Sequence, residues 1–324
     1  MDPIYKILVT SGSFGKADPS VYQLFADAGC EIIDYPIQRP LHDNELASLV
    51  KKLQINGILA GLDEIGPETL GASDSLKVVS RHGTGVDNVH FESSNRNGVV
   101  ITNTPSTNAS AVADLVFCLM LALSRNLIEV HQSTQQGGWE RPIGLELTGK
   151  VLGIVGYGRV GREVAKRAKG FSMAVKVYDP FLSEDKNQAE DVIICSSIEE
   201  VLSDSEMITL HLPKTESTIG LINERSLQLM KKGSILINTS RGEVVDEKAL
   251  AEAVLSKHLR GAGVDVYCSE PPLGSPLLGV PGIITTSHIG ALSDISLKET
   301  GRISALNLIS VLKGEYCPNI INKT

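Results

Sequence analysis

Little in this sequence is aromatic, basic or sulfurous, and each shortage removes a class of function. Only 14 of its 324 residues are Phe, Trp or Tyr, which argues against base-stacking platforms. Lys and Arg number 30 against 38 Asp and Glu, and the net charge of −8 comes with no basic tract. No nucleic-acid surface and no basic membrane anchor is expected from such a balance. The longest apolar run, Leu115 to Leu123, is nine residues, too short to span a bilayer. The five cysteines (Cys30, Cys118, Cys195, Cys268, Cys317) are odd in number and never form a Cys-x-x-Cys pair. That excludes a disulfide scaffold and a zinc ribbon, offers no metal site, and fits a reducing cytoplasm. Met1-Asp2-Pro3-Ile4 lacks a charged region followed by an apolar stretch, so no signal peptide is expected. What remains is ordinary globular material, 42% hydrophobic and 21% charged, with length for about two domains.

Short β-branched runs alternate with amphipathic stretches from end to end. Lys6–Thr10, Glu31–Asp34, Gly57–Ala60, Lys77–Ser80 and Val99–Ile101 read as five buried strands. A second series, Val151–Val155, Ala174–Tyr178, Val192–Ile194, Ile208–His211, Ile235–Asn238, Ala262–Val266 and Ile283–Thr286, gives seven more. Helical patterns intervene, one of them with Asp246 as its N-cap. Two longer helices are expected near Thr107–Ser124 and Leu292–Leu312. This alternation predicts an α/β protein of two doubly wound parallel-sheet domains. The stretch Ser124–Thr148 has weak periodicity, and reads either as an arm packing on a partner or as a surface excursion.

Gly156-Tyr157-Gly158-Arg159-Val160-Gly161 directly follows one of these apolar strands and opens a helix. In that context the glycines allow a tight turn, close approach to a pyrophosphate, and close helix–strand packing. The helix start, with its N–H groups and positive dipole end, is an anion site. Asp179 ends the next strand, 23 residues after Gly156, where a carboxylate can accept from ribose hydroxyls and repel a 2′-phosphate. The cofactor expected is NAD.

Ligands of open parallel sheets bind beyond the carboxyl ends of strands. Three polar residues lie there in the second series: Arg241 after Ile235–Asn238, Glu270 after Ala262–Val266, and His288 after Ile283–Thr286. Hydride transfer at a carbon bearing oxygen needs a proton donor or acceptor, and His suits that role near neutral pH. A carboxylate beside it orients the ring, and a guanidinium clamps a substrate carboxylate through two parallel bonds. Taken singly, each also has a structural reading, as a satisfied loop histidine or a loop ion pair, and spacing does not decide between them. His211 ends a strand and precedes Pro213, which fits a wall of an adenine site.

These segments together resemble the D-2-hydroxyacid dehydrogenase family, over nearly the whole chain, with phosphoglycerate dehydrogenases as the nearest branch. The blocks are Arg81-His82-Gly83-Thr84-Gly85-Val86-Asp87-Asn88-Val89, Asn103-Thr104-Pro105, Gly138-Trp139-Glu140-Arg141, the glycine motif, His211-Leu212-Pro213, Asn238-Thr239-Ser240-Arg241-Gly242, Gly263-Val264-Asp265-Val266, Glu270-Pro271-Pro272 and Ser287-His288-Ile289-Gly290-Ala291. The resemblance implies a cytoplasmic enzyme, needing no metal, that interconverts a small D-2-hydroxy acid and its 2-oxo acid with NAD, as a homodimer. It implies His288 as acid/base, Glu270 as its partner, and Arg241 as the group that binds and polarises substrate. It implies cofactor contacts from Gly156, Tyr157, Gly158, Arg159, Val160, Gly161, Asp179, His211, Leu212, Pro213, Thr239, Ser240, Asp265 and Gly290, besides Arg241 and His288. Arg81 and the Gly83-Thr84-Gly85 turn are the implied substrate contacts of the other domain. A Rossmann NAD-binding domain, 103–288, is implied as an insertion in a flavodoxin-like substrate domain, 1–102 and 289–324, with hinges near Asn103 and His288. The sequence carries no regulatory extension after Thr324, so serine feedback by that route is not expected. The loop Gly61-Leu62-Asp63-Glu64-Ile65 is acidic where phosphate-binding relatives commonly place a basic residue, which weighs against 3-phosphoglycerate, although Arg81 offers a phosphate contact. The substrates left open are 3-phosphoglycerate, glycerate/hydroxypyruvate or glyoxylate, and a larger 2-oxo acid. The alternative from another class is an NAD(H)-sensing, corepressor-like binding protein on the same fold.

Overall fold

Runs of aliphatic and β-branched residues become strands covered on both faces, which is the burial that parallel sheets require. The computed structural model describes residues 5–35, 39–182 and 192–322. Contacts divide the chain into two units, one reaching to Asn108 and resuming at Ala291, the other Ala109–Gly290.

The first unit is built on β1 (Tyr5–Val9), β2 (Cys30–Asp34), β3 (Gly57–Ala60), β4 (Val78–Arg81) and β5 (Val100–Thr102). Their order is β2-β1-β3-β4-β5, all parallel, which is the flavodoxin-like winding. The helix Asp294–Leu312 returns to this sheet, burying Ala305, Leu308, Ile309 and Leu312 with Ile7, Val9, Leu59 and Val78. Each such large aliphatic side chain contributes about 1.5–3 kcal/mol on burial.

The second unit contains β6 (Val151–Val155), β7 (Ala174–Tyr178), β8 (Ile193–Ile194), β9 (Met207–Leu210), β10 (Ile235–Asn238), β11 (Gly261–Val264) and β12 (Ile283–Thr285). The order β12-β11-β10-β9-β6-β7-β8 is again fully parallel, with the winding reversing between β6 and β9 as in a Rossmann sheet. The fold class expected from the sequence is the one observed.

Three details differ from the expectation. The first crossing falls at Asn108 rather than 102, because residues 103–108 are bonded into the first unit. The Asn103 amide donates to Thr84 O (2.8 Å), Thr104 N donates to Gly83 O (3.1 Å), and the Thr300 hydroxyl donates to Thr107 Oγ1 (2.8 Å). The return crossing falls after Gly290, since Ile289 and Gly290 both donate to Asp265 (2.8 Å each). Finally, the stretch of weak periodicity contains a helix, Leu127–Gln135, none of whose residues is buried. With no face toward a core, it has no reason to carry a helical apolar stripe. Among the described residues no single helix is long and apolar enough to cross a membrane.

Candidate active site

The glycine motif forms the turn between β6 and the helix Arg159–Gly170. Gly156 takes φ +94°, and a Cβ there would sit 2.4 Å from His211 O, so only glycine fits. A Cβ on Gly161 would meet Gly156 O at 2.3 Å, which explains the close packing of helix on turn. Gly158 is different. It caps the helix with an ordinary φ of −74° and its absent side chain would meet nothing within 4 Å. That space borders helix N–H groups that no side chain caps, which is the cradle an anionic ligand uses. Arg159 opens the helix, Val160 packs against the core behind it, and Arg162 lies 4.8 Å over the Tyr157 ring.

Asp179 stands just past β7 and is tied into the same turn. Its carboxylate accepts from Tyr157 N (2.8 Å) and Phe181 N (2.9 Å). Opposite, His211 follows β9, with Nε2 3.1 Å from the Thr209 hydroxyl. Burial pushes the His211 pKa down to about 3, so the ring is neutral at physiological pH. Leu212 lies against Gly156 and the core, and Pro213 O accepts from the Thr218 hydroxyl (2.7 Å).

The loop after β10 is held by Asn238. Its side-chain oxygen accepts from Ser240 N (3.0 Å) and the Ser240 hydroxyl (2.8 Å), and its amide donates to Arg241 O (2.9 Å). Arg241 Nη1 donates to Ser240 O (2.7 Å). The Thr239 hydroxyl between them is buried without a hydrogen-bond partner, a group that a bound ligand would satisfy. A Cβ on Gly242 would fall 1.9 Å from the Tyr267 carbonyl carbon, so the Arg241 loop lies directly against the one that carries Glu270.

Glu270 and His288 meet. His288 Nδ1 is 2.8 Å from Glu270 Oε2, while Glu270 Oε1 accepts from Tyr267 N (3.2 Å). His288 has φ +54°, the left-handed region that a histidine enters only where its surroundings fix it. Asp265 does so. Buried just past β11, it accepts from the Thr286 hydroxyl (2.6 Å), Ile289 N (2.8 Å) and Gly290 N (2.8 Å), and its carbonyl accepts from His288 N (3.0 Å). The expected triad of Arg241, Glu270 and His288 therefore occupies adjoining loops of one unit.

In the other unit, Arg81 ends β4 with its guanidinium buried. Nη1 donates to Ala60 O (3.0 Å) and Nε to Gly85 O (3.2 Å), so it braces the Gly83–Gly85 turn from beneath. Gly83 borders open space, and Thr84 Oγ1 bonds to Thr104 O (3.1 Å) and Asn108 (3.2 Å). The acidic loop is less of a surface charge than its sequence implies. Asp63 is buried, accepting from Thr10 Oγ1 (2.5 Å), Leu41 N (2.9 Å) and Gly61 N (3.1 Å), and Glu64 accepts from Asp43 N (3.3 Å). Among the described residues no cluster of three or more His, Cys, Asp or Glu could hold a metal ion.

Sequence reasoning assigned nothing to Tyr267, Thr286 or His82. The Tyr267 hydroxyl donates to Thr286 O (2.7 Å) and so closes the bracket around the His288 loop. No motif announces it; only its place two residues after Asp265 hints at it.

Residues 117–290 match the family model described as D-isomer specific 2-hydroxyacid dehydrogenase, NAD binding domain. The chain is 38% identical over 272 residues to a glyoxylate reductase of Thermococcus litoralis, covering 81% of each. It is 35% identical over 294 residues to a D-3-phosphoglycerate dehydrogenase of Methanocaldococcus jannaschii, covering 90% of this chain and 56% of that one. The chain thus spans about half the length of the phosphoglycerate dehydrogenases it matches. A crystal structure of the TT0316 protein from Thermus thermophilus superposes with a TM-score of 0.87 at 34% identity, covering 98% of this chain and 99% of that one.

Proposed function

This chain belongs to the D-isomer specific 2-hydroxyacid dehydrogenase family, and from that premise we propose that it interconverts a small D-2-hydroxy acid and its 2-oxo acid with NAD. The observation that carries the reading is the His288–Glu270 pair on a turn that Asp265 holds. With Nδ1 committed to Glu270, Nε2 is the ring nitrogen through which a proton moves. In the reductive direction His288 gives that proton to the oxygen on C2, and the Glu270 carboxylate stabilises the imidazolium before it does so. Arg241 binds the substrate carboxylate and polarises the carbonyl. In the first unit, the Gly83-Thr84-Gly85 turn offers backbone N–H groups to a carboxylate, with Arg81 as its brace.

The residues present fit NAD: the open cradle at Gly158, the uncapped helix start, the orphaned Thr239 hydroxyl and the carboxylate of Asp179. When bound, that cofactor supplies or accepts the hydride at C2. Asp179 is expected to take the ribose hydroxyls, and His211, Leu212 and Pro213 to wall the adenine.

A cytoplasmic homodimer is part of the same proposal. The stretch after the unburied helix Leu127–Gln135 carries Trp139 and Ile143, 82% and 92% exposed, which a second copy would cover. Light scattering on the wild type and on Trp139→Glu tests it. A wild-type monomer refutes it.

NADH oxidation by purified protein, against glyoxylate, hydroxypyruvate, phosphohydroxypyruvate, pyruvate and bulkier 2-oxo acids, tests the activity. NADPH is run beside it. Turnover of an unphosphorylated small acid with NADH is expected. Tight NADH binding without turnover of any of them would refute the reading and favour a sensor.

A further inference from the structure

A second polar cluster lies outside the triad, at the carboxyl end of the first unit's sheet. His82 is the first residue past β4, and Ser11 and Ser13 lie in the loop past β1. Those two strands are not neighbours, since β3 runs between them. The loops are nevertheless joined: His82 Nδ1 is 2.9 Å from Ser11 Oγ and 3.3 Å from Ser13 Oγ, and the two hydroxyls are 3.3 Å apart. Phe14 packs edge-on against the imidazole, with centroids 5.8 Å apart. On its other side the ring borders Gly301, whose absent Cβ would lie 3.9 Å from Nε2.

Nε2 is buried and has no hydrogen-bond partner. Whichever tautomer the ring adopts, one of its nitrogens goes unsatisfied, so an apolar residue would suit this position at least as well for stability alone. A buried polar group that the fold does not need calls for a functional account. His82 also immediately precedes the Gly83–Gly85 turn, so whatever fixes the ring fixes the position of Ser11–Gly12–Ser13 beside that turn.

We propose that His82 is a positioning residue that holds the Ser11–Ser13 loop as the wall reading the substrate's side chain beyond C2, with Ser13 as the contact for a C3 hydroxyl. The proposal rests on the reading that the Gly83–Gly85 turn takes the substrate carboxylate. It selects a substrate class, 3-hydroxy-2-oxo acids, over those with an apolar or absent C3 group.

The test is steady-state NADH oxidation by wild type, His82→Leu, His82→Gln and Ser13→Ala, each with hydroxypyruvate, pyruvate and glyoxylate. Glyoxylate has no C3 and serves as the internal reference. His82→Leu should raise KM for hydroxypyruvate about tenfold, the loss expected of one hydrogen bond, with kcat within about threefold. Its kcat/KM for glyoxylate should change by less than about threefold. Glutamine, whose amide can still bond a serine hydroxyl, should recover part of the loss, and Ser13→Ala should reproduce it. Equal changes for glyoxylate and hydroxypyruvate, or none for either, would overturn the proposal. If His82→Leu fails to fold, Ser13→Ala alone decides it by the same ratio. A wild type that turns over only other 2-oxo acids overturns the proposed substrate class. One inactive on every 2-oxo acid named above refutes the underlying dehydrogenase reading, which is a different result from an active enzyme whose selectivity ignores His82.

Discussion

Replacing Asp265 with Asn separates two roles for this carboxylate. The resemblance implies it as a cofactor contact, whereas the structure commits both of its oxygens to the His288 turn: Thr286 Oγ1 and Ile289 N on one, Gly290 N on the other. Asparagine keeps one oxygen. Its amide nitrogen must then face a backbone or hydroxyl donor, so at least one charge-assisted bond is lost and one buried N–H is left opposite another donor. Either loss is worth about 1–3 kcal/mol, and the two overlap because they fall on one site, so about 2–3 kcal/mol is a fair total. The turn has somewhere to go, since a left-handed histidine is itself strained by about 1 kcal/mol or more. If the cost falls on the conformation of His288, the productive population drops about 30- to 150-fold at 1.4 kcal/mol per decade. The expected result is a kcat reduced by that factor, an NADH Kd within about threefold of wild type by fluorescence titration, and a folded protein by urea melt. A variant whose kcat is intact while its NADH Kd is weakened would refute the clamp and favour the cofactor contact.

His288→Ala should lower reductive turnover by about two to four orders of magnitude while NADH still binds, and unchanged turnover removes His288 from the mechanism. Gly158→Ala adds a methyl group to open space at an ordinary φ, so its melting curve should match wild type while NADH affinity falls; equal affinity would mean that no ligand backbone approaches there. Stability should also fall on acidification below neutrality. Burial and the nearby Arg81 charge push the His82 pKa down to about 4. The unfolded chain titrates near 6.5 and binds the extra proton first, so stability is lost as pH falls from about 6.5 toward 4, by at most about 3 kcal/mol from this group. Urea melts at pH 7 and pH 5 should differ less for His82→Leu than for wild type; equal differences would contradict the buried, neutral ring.

The parts of this molecule legible in the sequence are those where local chemistry and fold demand the same residues. Gly156-Tyr157-Gly158-Arg159-Val160-Gly161 is legible because its turn needs a positive φ at the first glycine and a bare approach at the third. Arg241, Glu270 and His288 stand out because strand ends of a parallel sheet are where ligands bind, and the structure brings their loops together. Where burial decides, the sequence says less. Asp63 reads in sequence as part of an acidic loop and Arg81 as a substrate contact, yet both direct polar atoms inward onto backbone groups and hold loops in place. The helix Leu127–Gln135 escapes detection for the converse reason, as it buries nothing and has no stripe to show. Asp265 and His82 belong to a third kind, since their partners lie 25 and 71 residues away at the farthest and only the sheet order brings them near. In this fold the residues suited to chemistry are announced by their position on strands, while those that aim them are set by contacts across loops. That is why Glu270 and His288 could be singled out at strand ends, with their pairing implied by the resemblance, while the part of Asp265 as their clamp could not.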